Sequence, residues 1–318
     1  MKTINLVTAK VNTTVQGIVA AESIKLSTAR NNKDYLDIAV TDGTLTVMAK
    51  YWDFVGVPPA AGSILDIVGT VGEYNGVKQL VINRMSIIDN PSLIQNFIKQ
   101  SEISEEELKE TLNKYISFIS DDFYKEIVVQ ALADHPEYYT LPAAKTMHHN
   151  FWRGLLQHSL EVCRYALSLA DETVNVSLLI TGSLLHDIGK CVAYAYDGLN
   201  IVITDQGKLL DHIIIGQRLL ANAVDKIRPT GLSSDESTKL LMLEHIIASH
   251  HGKLEYGSPV VPKTREALLT HQADLISSRM NRFEVLDNQL PEGTSWSTYD
   301  RAFESDILVR PELLGGAK

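Results

Sequence analysis

A chain of 318 residues and 35.3 kDa has room for two domains, and 45% hydrophobic with 21% charged residues is an ordinary globular composition, which excludes a disordered or collagen-like chain. No run approaches the ~18 apolar residues of a membrane span, no apolar signal core follows Met1, and the two cysteines, Cys163 and Cys191, are too few for a disulfide framework; a reducing cytoplasm is expected. With 29 Lys and Arg against 39 Asp and Glu the net charge is −10, which disfavours coating nucleic acid through a general basic field and leaves a local groove open.

Residues 1–90 carry eight basic and eight acidic residues, so the whole acidic excess lies in 91–318. That asymmetry predicts two units with different tasks. In the first, residues 13–24 are rich in β-branched types, Tyr35–Val40 alternates, and Asp42-Gly43 precedes a second alternating run at Leu45, Val47 and Ala49. Val57-Pro58-Pro59-Ala60 interrupts the structure; then Ile64–Tyr74 and Val77–Ile88 flank Asn75-Gly76. Asp-Gly and Asn-Gly between alternating runs mark hairpins, because the tight turn needs positive φ at its centre. Five strands in so short a stretch suit a small β-barrel, most economically an OB-fold. Tyr35, Tyr51, Trp52, Phe54 and Tyr74 are candidate stacking platforms for bases, with Lys25, Arg30, Lys33 and Lys50 as phosphate contacts. A place in the core is the alternative for each aromatic.

Asn90-Pro91-Ser92 ends the strand region. Ser104–Glu107 reads as a capping box ahead of a helix carrying Leu108, Leu112, Tyr115, Ile116 and Ile119, and a further helix should run from Asp121 or Asp122 to Ala133, stopped by His135-Pro136. Helical spacing then predicts helices over 152–170, 176–189, 208–226, 235–250 and 264–285.

Chemistry concentrates in the histidines. In Ser183-Leu184-Leu185-His186-Asp187-Ile188-Gly189-Lys190 an apolar helix ends in adjacent His and Asp, followed by a glycine suited to a C-cap. Two polar groups at a buried helix end are costly unless something satisfies them, and a divalent metal would: histidine offers a neutral nitrogen, and aspartate can bridge two ions. His158, His212, His250, His251 and Asp274 sit in similar apolar helical contexts.

The ordered set His158, His186-Asp187, His212, His250-His251, Asp274 resembles the HD-domain metal-dependent phosphohydrolases over about residues 140–285. With an OB-like module ahead of it, the chain more closely resembles the YhaM-type 3′-to-5′ exoribonucleases. YLDIAVTDGTLTVMAKYWD, GTVGEYNGVKQLVI and KTMHHNF before GLLQH carry that likeness. Arg153, where a glycine is expected, and Gln157, where an acid is common, depart from it. The resemblance implies a multidomain α and β protein: an OB-fold nucleic-acid-binding domain (1–90), a helical connector (91–145), an all-α HD-domain bundle (146–290) and a C-terminal extension (291–318). It implies a first metal held by His158, His186, Asp187 and Asp274, and a second held by Asp187, His212, His250 and His251, most in keeping with Mn²⁺. The catalytic residues would be Asp187 and Lys190, the cation neutralising a phosphate oxygen. Lys33, Tyr35, Trp52, Tyr74, His148 and His149 would contact substrate. The implied activity is hydrolysis of single-stranded RNA, and of single-stranded DNA as a further candidate, to nucleoside 5′-monophosphates, without a membrane partner and with a homo-oligomer left open. A phosphohydrolase of small nucleotides and a nucleic-acid-binding protein with a structural metal remain the alternatives.

Overall fold

The structure is a computed structural model that describes residues 2–74, 76–144, 149–291 and 293–314. The chain divides into two compact units, residues 1–100 with 196–202, and residues 101–195 with 203–318.

The first unit is a closed barrel of β1 (Thr14–Thr28), β2 (Asp34–Thr41), β3 (Thr46–Tyr51), β4 (Ile64–Tyr74) and β5 (Val77–Ile88), in the order β1-β2-β3-β5-β4 with β4 returning to β1. Every pairing is antiparallel except β3 with β5, which closes the barrel. This is the strand order of an OB-fold. Alternation fills the interior with Leu36, Ile38 and Val40 from β2, Val47 and Ala49 from β3, and Leu65, Ile67, Leu80 and Ile82 from β4 and β5. Between β2 and β3, Gly43 has φ of 90°, and Asp42 Oδ1 accepts from the Thr44 and Leu45 amides at 2.8 Å. Asn75 of the second turn signal lies outside the described residues. A short hairpin, β6 (Tyr194–Asp197) and β7 (Asn200–Ile203), turns at Asp197-Gly198, the same dipeptide signal as at Asp42. Leu199 at its tip packs with Ile18, Ile64 and Phe97 of the first unit.

The second unit is helical: α1 (Glu105–Phe118), α2 (Asp122–Asp134), α3 (Gly154–Leu169), α4 (Val176–Leu185), α5 (Lys190–Ala193), α6 (Asp205–Ile227), α7 (Ser234–Ser249) and α8 (Arg265–Gln289). Side chains of Ser104, Asp121, Asn175, Thr204, Ser233 and Thr264 each accept from an amide in the first turn that follows. Ser104 makes the serine half of a cap, whereas the reciprocal capping box is made by Ser233 and Glu236. Leu108, Tyr124, Ile127, Leu155, Leu184 and Ile246 share one core that draws α1 and α2 into the same body as α3 and α4. The window Val176–Ala193 is, against expectation, long and apolar enough by composition for a membrane span; it is 89% buried in this core. After α8 the chain folds back on itself, with bridges Trp296 to Leu308 and Asp300 to Ser305.

Candidate metal centre and active site

Five elements of the helical unit converge. His158 comes from α3, His186 and Asp187 from the turn after α4, His212 from α6, His250 and His251 from the end of α7, and Asp274 from α8. Ligand atoms of His158, His186 and Asp274 lie within 4.8 Å of one another, as do those of His212, His250 and His251. Asp187 stands between the groups. Its Oδ2 is 3.3 Å from His186 Nε2 and 3.6 Å from His158 Nε2; its Oδ1 is 3.4 Å from His212 Nε2 and 3.5 Å from His250 Nε2. His158 Nε2 is 3.2 Å from Asp274 Oδ1.

Each of the five histidines has its Nδ1 fixed by an oxygen. His186 Nδ1 donates to the Ser183 carbonyl, His250 Nδ1 to that of Ile247 and His251 Nδ1 to that of Tyr256, each at 2.8 Å. His212 Nδ1 donates to Asp211 Oδ1 at 2.5 Å. His158 Nδ1 donates to Ser277 Oγ at 3.1 Å, and Ser277 donates in turn to Glu161 Oε2 at 2.8 Å. Hydrogen-bonding one ring nitrogen sets the tautomer and leaves the other as a ligand. All five Nε2 lone pairs are thereby directed inward, and two pairs of them approach to 3.3 Å (His158, His186) and 3.4 Å (His212, His250). Asp187 Oδ1, buried among them, accepts no hydrogen bond among the described residues. Converging lone pairs around an unsatisfied buried carboxylate oxygen are destabilising until a cation joins them, so the residues present fit a divalent metal.

Protonation states agree at four of the five imidazoles. Burial pushes His158 down to about 4 despite the attraction of Asp274, and burial likewise lowers His212, His250 and His251. Burial opposes charge on His186 too, but the adjacent Asp187 outweighs it and raises that imidazole. For Asp187 burial favours the acid, yet Lys190 and His186 hold the carboxyl well below the usual range, and His158 does the same for Asp274. Lys190, 7% exposed, contacts Asp187 Oδ2 at 2.5 Å, and that neighbour keeps it charged against burial.

Local backbone explains the motif's spelling. Gly189 has φ of −62°, an ordinary helical value, so it is not the left-handed cap that its position predicts. It is glycine because α6 crosses there: an added Cβ would lie 2.6 Å from Gly216 N and closer still to the His212 carbonyl. Asp211 breaks α6 with φ of 59° and ψ of 161°, a strained conformation that aims its carboxylate at the next residue's imidazole. Arg153, standing where glycine was expected, has φ of 69°, which gives the physical reason for that glycine; its guanidinium contacts Glu105 at 3.0 Å. Gln157, the other departure, donates to Glu161 Oε1 at 2.9 Å, where an acid would meet like charge.

Of the expected substrate contacts, His149 lies behind His158. It is fully buried, and its Nε2 donates to Glu161 Oε2 at 3.1 Å. His148 lies outside the described residues. In the barrel the Tyr35 and Trp52 rings lie 4.6 Å apart, with Lys50 Nζ 4.6 Å and 5.4 Å from their centroids. Lys33 is exposed and pairs with Asp53 at 3.1 Å. Tyr74 is 67% exposed at the end of β4 and makes no ring contact with that pair among the described residues, while Tyr51 and Phe54 pack on the barrel core. Sequence reasoning missed Glu161, Ser277 and Asp211. Glu161 carried a signal, an acid one turn from His158 on the same helix, and Asp211 another, an acid adjacent to a ligand histidine. His212, His251 and Asp274 border a cavity of about 650 Å³ lined also by Lys190, Tyr194, Tyr256, Arg279 and Arg301.

Residues 155–279 match the HD domain family model, and residues 101–183 also match the TraI_2 model, whose description reads "Putative helicase". The chain is 30% identical over 292 residues to 3′-5′ exoribonuclease YhaM of Listeria monocytogenes, covering 89% of this chain and 91% of that protein. It is 29% identical over 303 residues to YhaM of Halalkalibacterium halodurans (92% and 91% covered) and 30% identical over 272 residues to YhaM of Bacillus pumilus (82% and 84%). Among solved structures, the second OB-fold domain of replication protein A from Methanococcus maripaludis is similar over 26% of this chain and 88% of its own, at 16% identity and a TM-score of 0.20, too low to add to what the strand order already establishes. On this likeness along nine-tenths of its length, the chain belongs to the YhaM family of 3′-5′ exoribonucleases.

Proposed function

We infer that the protein is a metal-dependent 3′-5′ exoribonuclease that hydrolyses single-stranded RNA to nucleoside 5′-monophosphates. The observation that carries this reading is the pair of ligand groups joined by Asp187 in a helical unit whose chain also bears an OB-fold barrel. His158, His186, Asp187 and Asp274 would hold one ion, and Asp187, His212, His250 and His251 a second. When bound, such cations supply Lewis acidity toward phosphate oxygens and an acidified water at neutral pH. The chain's own groups do the rest. Each Nδ1 proton stays on its imidazole, donated to Asp211, Ser277 or a backbone carbonyl, which leaves the five Nε2 atoms as the ligand atoms. Lys190 holds Asp187 Oδ2, keeping that carboxylate ionised and oriented, and lines the cavity where a phosphate oxygen would lie. In the barrel, Tyr35, Trp52 and Lys50 form an aromatic and cationic platform for an unpaired strand, with Lys33 beside it and Tyr74 as a separate contact. Mixed His and Asp donors accept several divalent ions, and Mn²⁺ is the ion we propose. Both cysteines are buried free thiols, which supports a reducing compartment.

The test uses 5′-end-labelled single-stranded RNA with Mn²⁺, beside EDTA and a His186→Ala/Asp187→Ala variant. A ladder shortening from the 3′ end, lost in both controls, is expected. RNA left intact by the folded wild-type protein would refute the reading, and release of phosphate from small nucleotides would then replace it.

A further inference from the structure

Beyond the ligands, the cavity has one feature that the metal chemistry leaves unused: arginines. Arg279, Arg282 and Arg301 all line it together with Asp274, His212 and His251. Arg282 is committed elsewhere, its Nε and Nη2 donating to Asp300 Oδ2 at 2.8 and 2.6 Å. Lys190 is likewise committed to Asp187. Arg279 and Arg301 differ: among the described residues neither makes an ion pair, and Arg279 only rests its guanidinium 5.9 Å from the Phe303 ring. Glu304, on the same rim, pairs with neither. Two unpaired guanidiniums at one cavity repel each other, and an anion entering the cavity relieves that repulsion. A planar guanidinium fork matches a phosphate with two parallel hydrogen bonds.

Arg301 arrives by deliberate construction. It lies beyond the matched HD segment, which ends at residue 279, in the fold-back after α8. That segment is seated by the Arg282–Asp300 fork, with Asp300 5% exposed, by Phe283 against Phe303 with centroids 5.0 Å apart, and by Arg310 on Asp287 at 2.5 Å. Its two internal bridges, Trp296 to Leu308 and Asp300 to Ser305, hold the loop that carries Arg301. Six residues, Arg282 with Asp300, Phe283 with Phe303 and Arg310 with Asp287, thus seat the segment that presents one exposed arginine to the ligand cavity.

We infer that Arg279 and Arg301 bind the strand phosphate next to the one being cleaved, and that the segment carrying Arg301, Ala302 and Glu304 is a wall of the active site. This rests on the exoribonuclease reading. The cavity volume of about 650 Å³ lies inside the ~300–1,000 Å³ range of ligand sites and leaves room for a nucleotide beside the ligands.

The experiment measures steady-state hydrolysis of single-stranded RNA by the full-length Mn²⁺ protein and by Arg279→Gln, Arg301→Gln and Arg301→Lys, at several salt concentrations. Loss of one charge-assisted phosphate contact should raise KM about tenfold or more in each Gln variant while kcat changes less than about threefold. The slope of log(kcat/KM) against log[salt] should become shallower by about 0.7 per arginine removed. Arg301→Lys should keep the salt slope and lose part of the KM gain, and Mn²⁺ affinity should be unchanged throughout. An arginine that only props up the fold moves neither the salt slope nor KM alone. KM and salt slope equal to wild type in both Gln variants would overturn the inference and leave the exoribonuclease reading standing. A wild type inactive on RNA would overturn both.

Discussion

Replacing Gly189 by alanine adds one methyl group at the point where the HD motif meets α6. The new Cβ would lie 2.6 Å from Gly216 N, whereas ordinary contacts begin at 3.4 Å, so the α6 backbone must retreat by about 0.8 Å or more. Neither atom is the end of a flexible side chain; both belong to backbone, and the closer one is the carbonyl of His212. Overpacking of this kind costs about 1–3 kcal/mol, which for a unit of this size lowers the melting temperature by roughly 2–12 °C. The retreat also carries His212 away from His250, and metal sites tolerate only about 0.2 Å of ligand displacement. Gly189→Ala should therefore lose Mn²⁺ affinity at the His212 group as well as stability. Gly216→Ala is the control on the other side of the contact: its Cβ would meet the Ile247 methyl at 3.3 Å, a neighbour that can yield, so it should melt near wild type. Calorimetric melting and Mn²⁺ titration read both. If Gly189→Ala melted with wild type and bound Mn²⁺ equally, the close-approach reasoning would be wrong.

Asp211→Asn should weaken metal affinity by about tenfold at the His212 group, the lower end of what orienting partners contribute, because the amide is a poorer acceptor for His212 Nδ1; unchanged titration curves would show that the strained carboxylate does not orient the ring. Glu161 gives a pH signature. Burial would raise its carboxyl, but hydrogen bonds from His149, Gln157 and Ser277 bring it down to about 2, against ~4.3 in an unfolded chain. A depressed carboxylate contributes stability that is fully present above the unfolded value and is lost as pH falls toward about 2. Metal-free wild type should accordingly lose melting temperature more steeply below pH 4.3 than Glu161→Gln; parallel acid limbs would contradict the shift. Trp52→Ala should weaken binding of single-stranded RNA in EDTA by about 1–3 kcal/mol, the contribution of one stacked base, with an unchanged melting temperature; fluorescence anisotropy decides, and an unchanged Kd would exclude the Tyr35–Trp52 platform.

The barrel was legible because its signals are local. Asp42-Gly43 sets a turn, and alternation on both sides sets the buried face. The residues expected as metal ligands stood out for a different reason: His and Asp are rare on apolar helix faces, so a series of them is informative before any contact is known. Features that depend on approach between distant segments were not legible. Gly189 looks like a helix cap in the sequence and is in fact a crossing point with a helix that begins at Asp205. The bond from Ser277 to Glu161 joins residues 116 apart, and no pattern in either helix announces it. The hairpin at Asp197-Gly198 carried a turn signal, but with four residues in each strand the alternation was too short to register between helices. His149 looked like half of an exposed loop pair; its burial behind His158 follows from Glu161, one turn along α3.

The central claim is that Asp187 joins two groups of ligands into one two-ion centre. Equilibrium dialysis of Mn²⁺ against the full-length wild-type protein and Asp187→Asn tests it most directly. Two bound ions per chain are expected in the wild type, with affinity lost at both positions in the variant. Two ions still held at wild-type affinity by Asp187→Asn would contradict it.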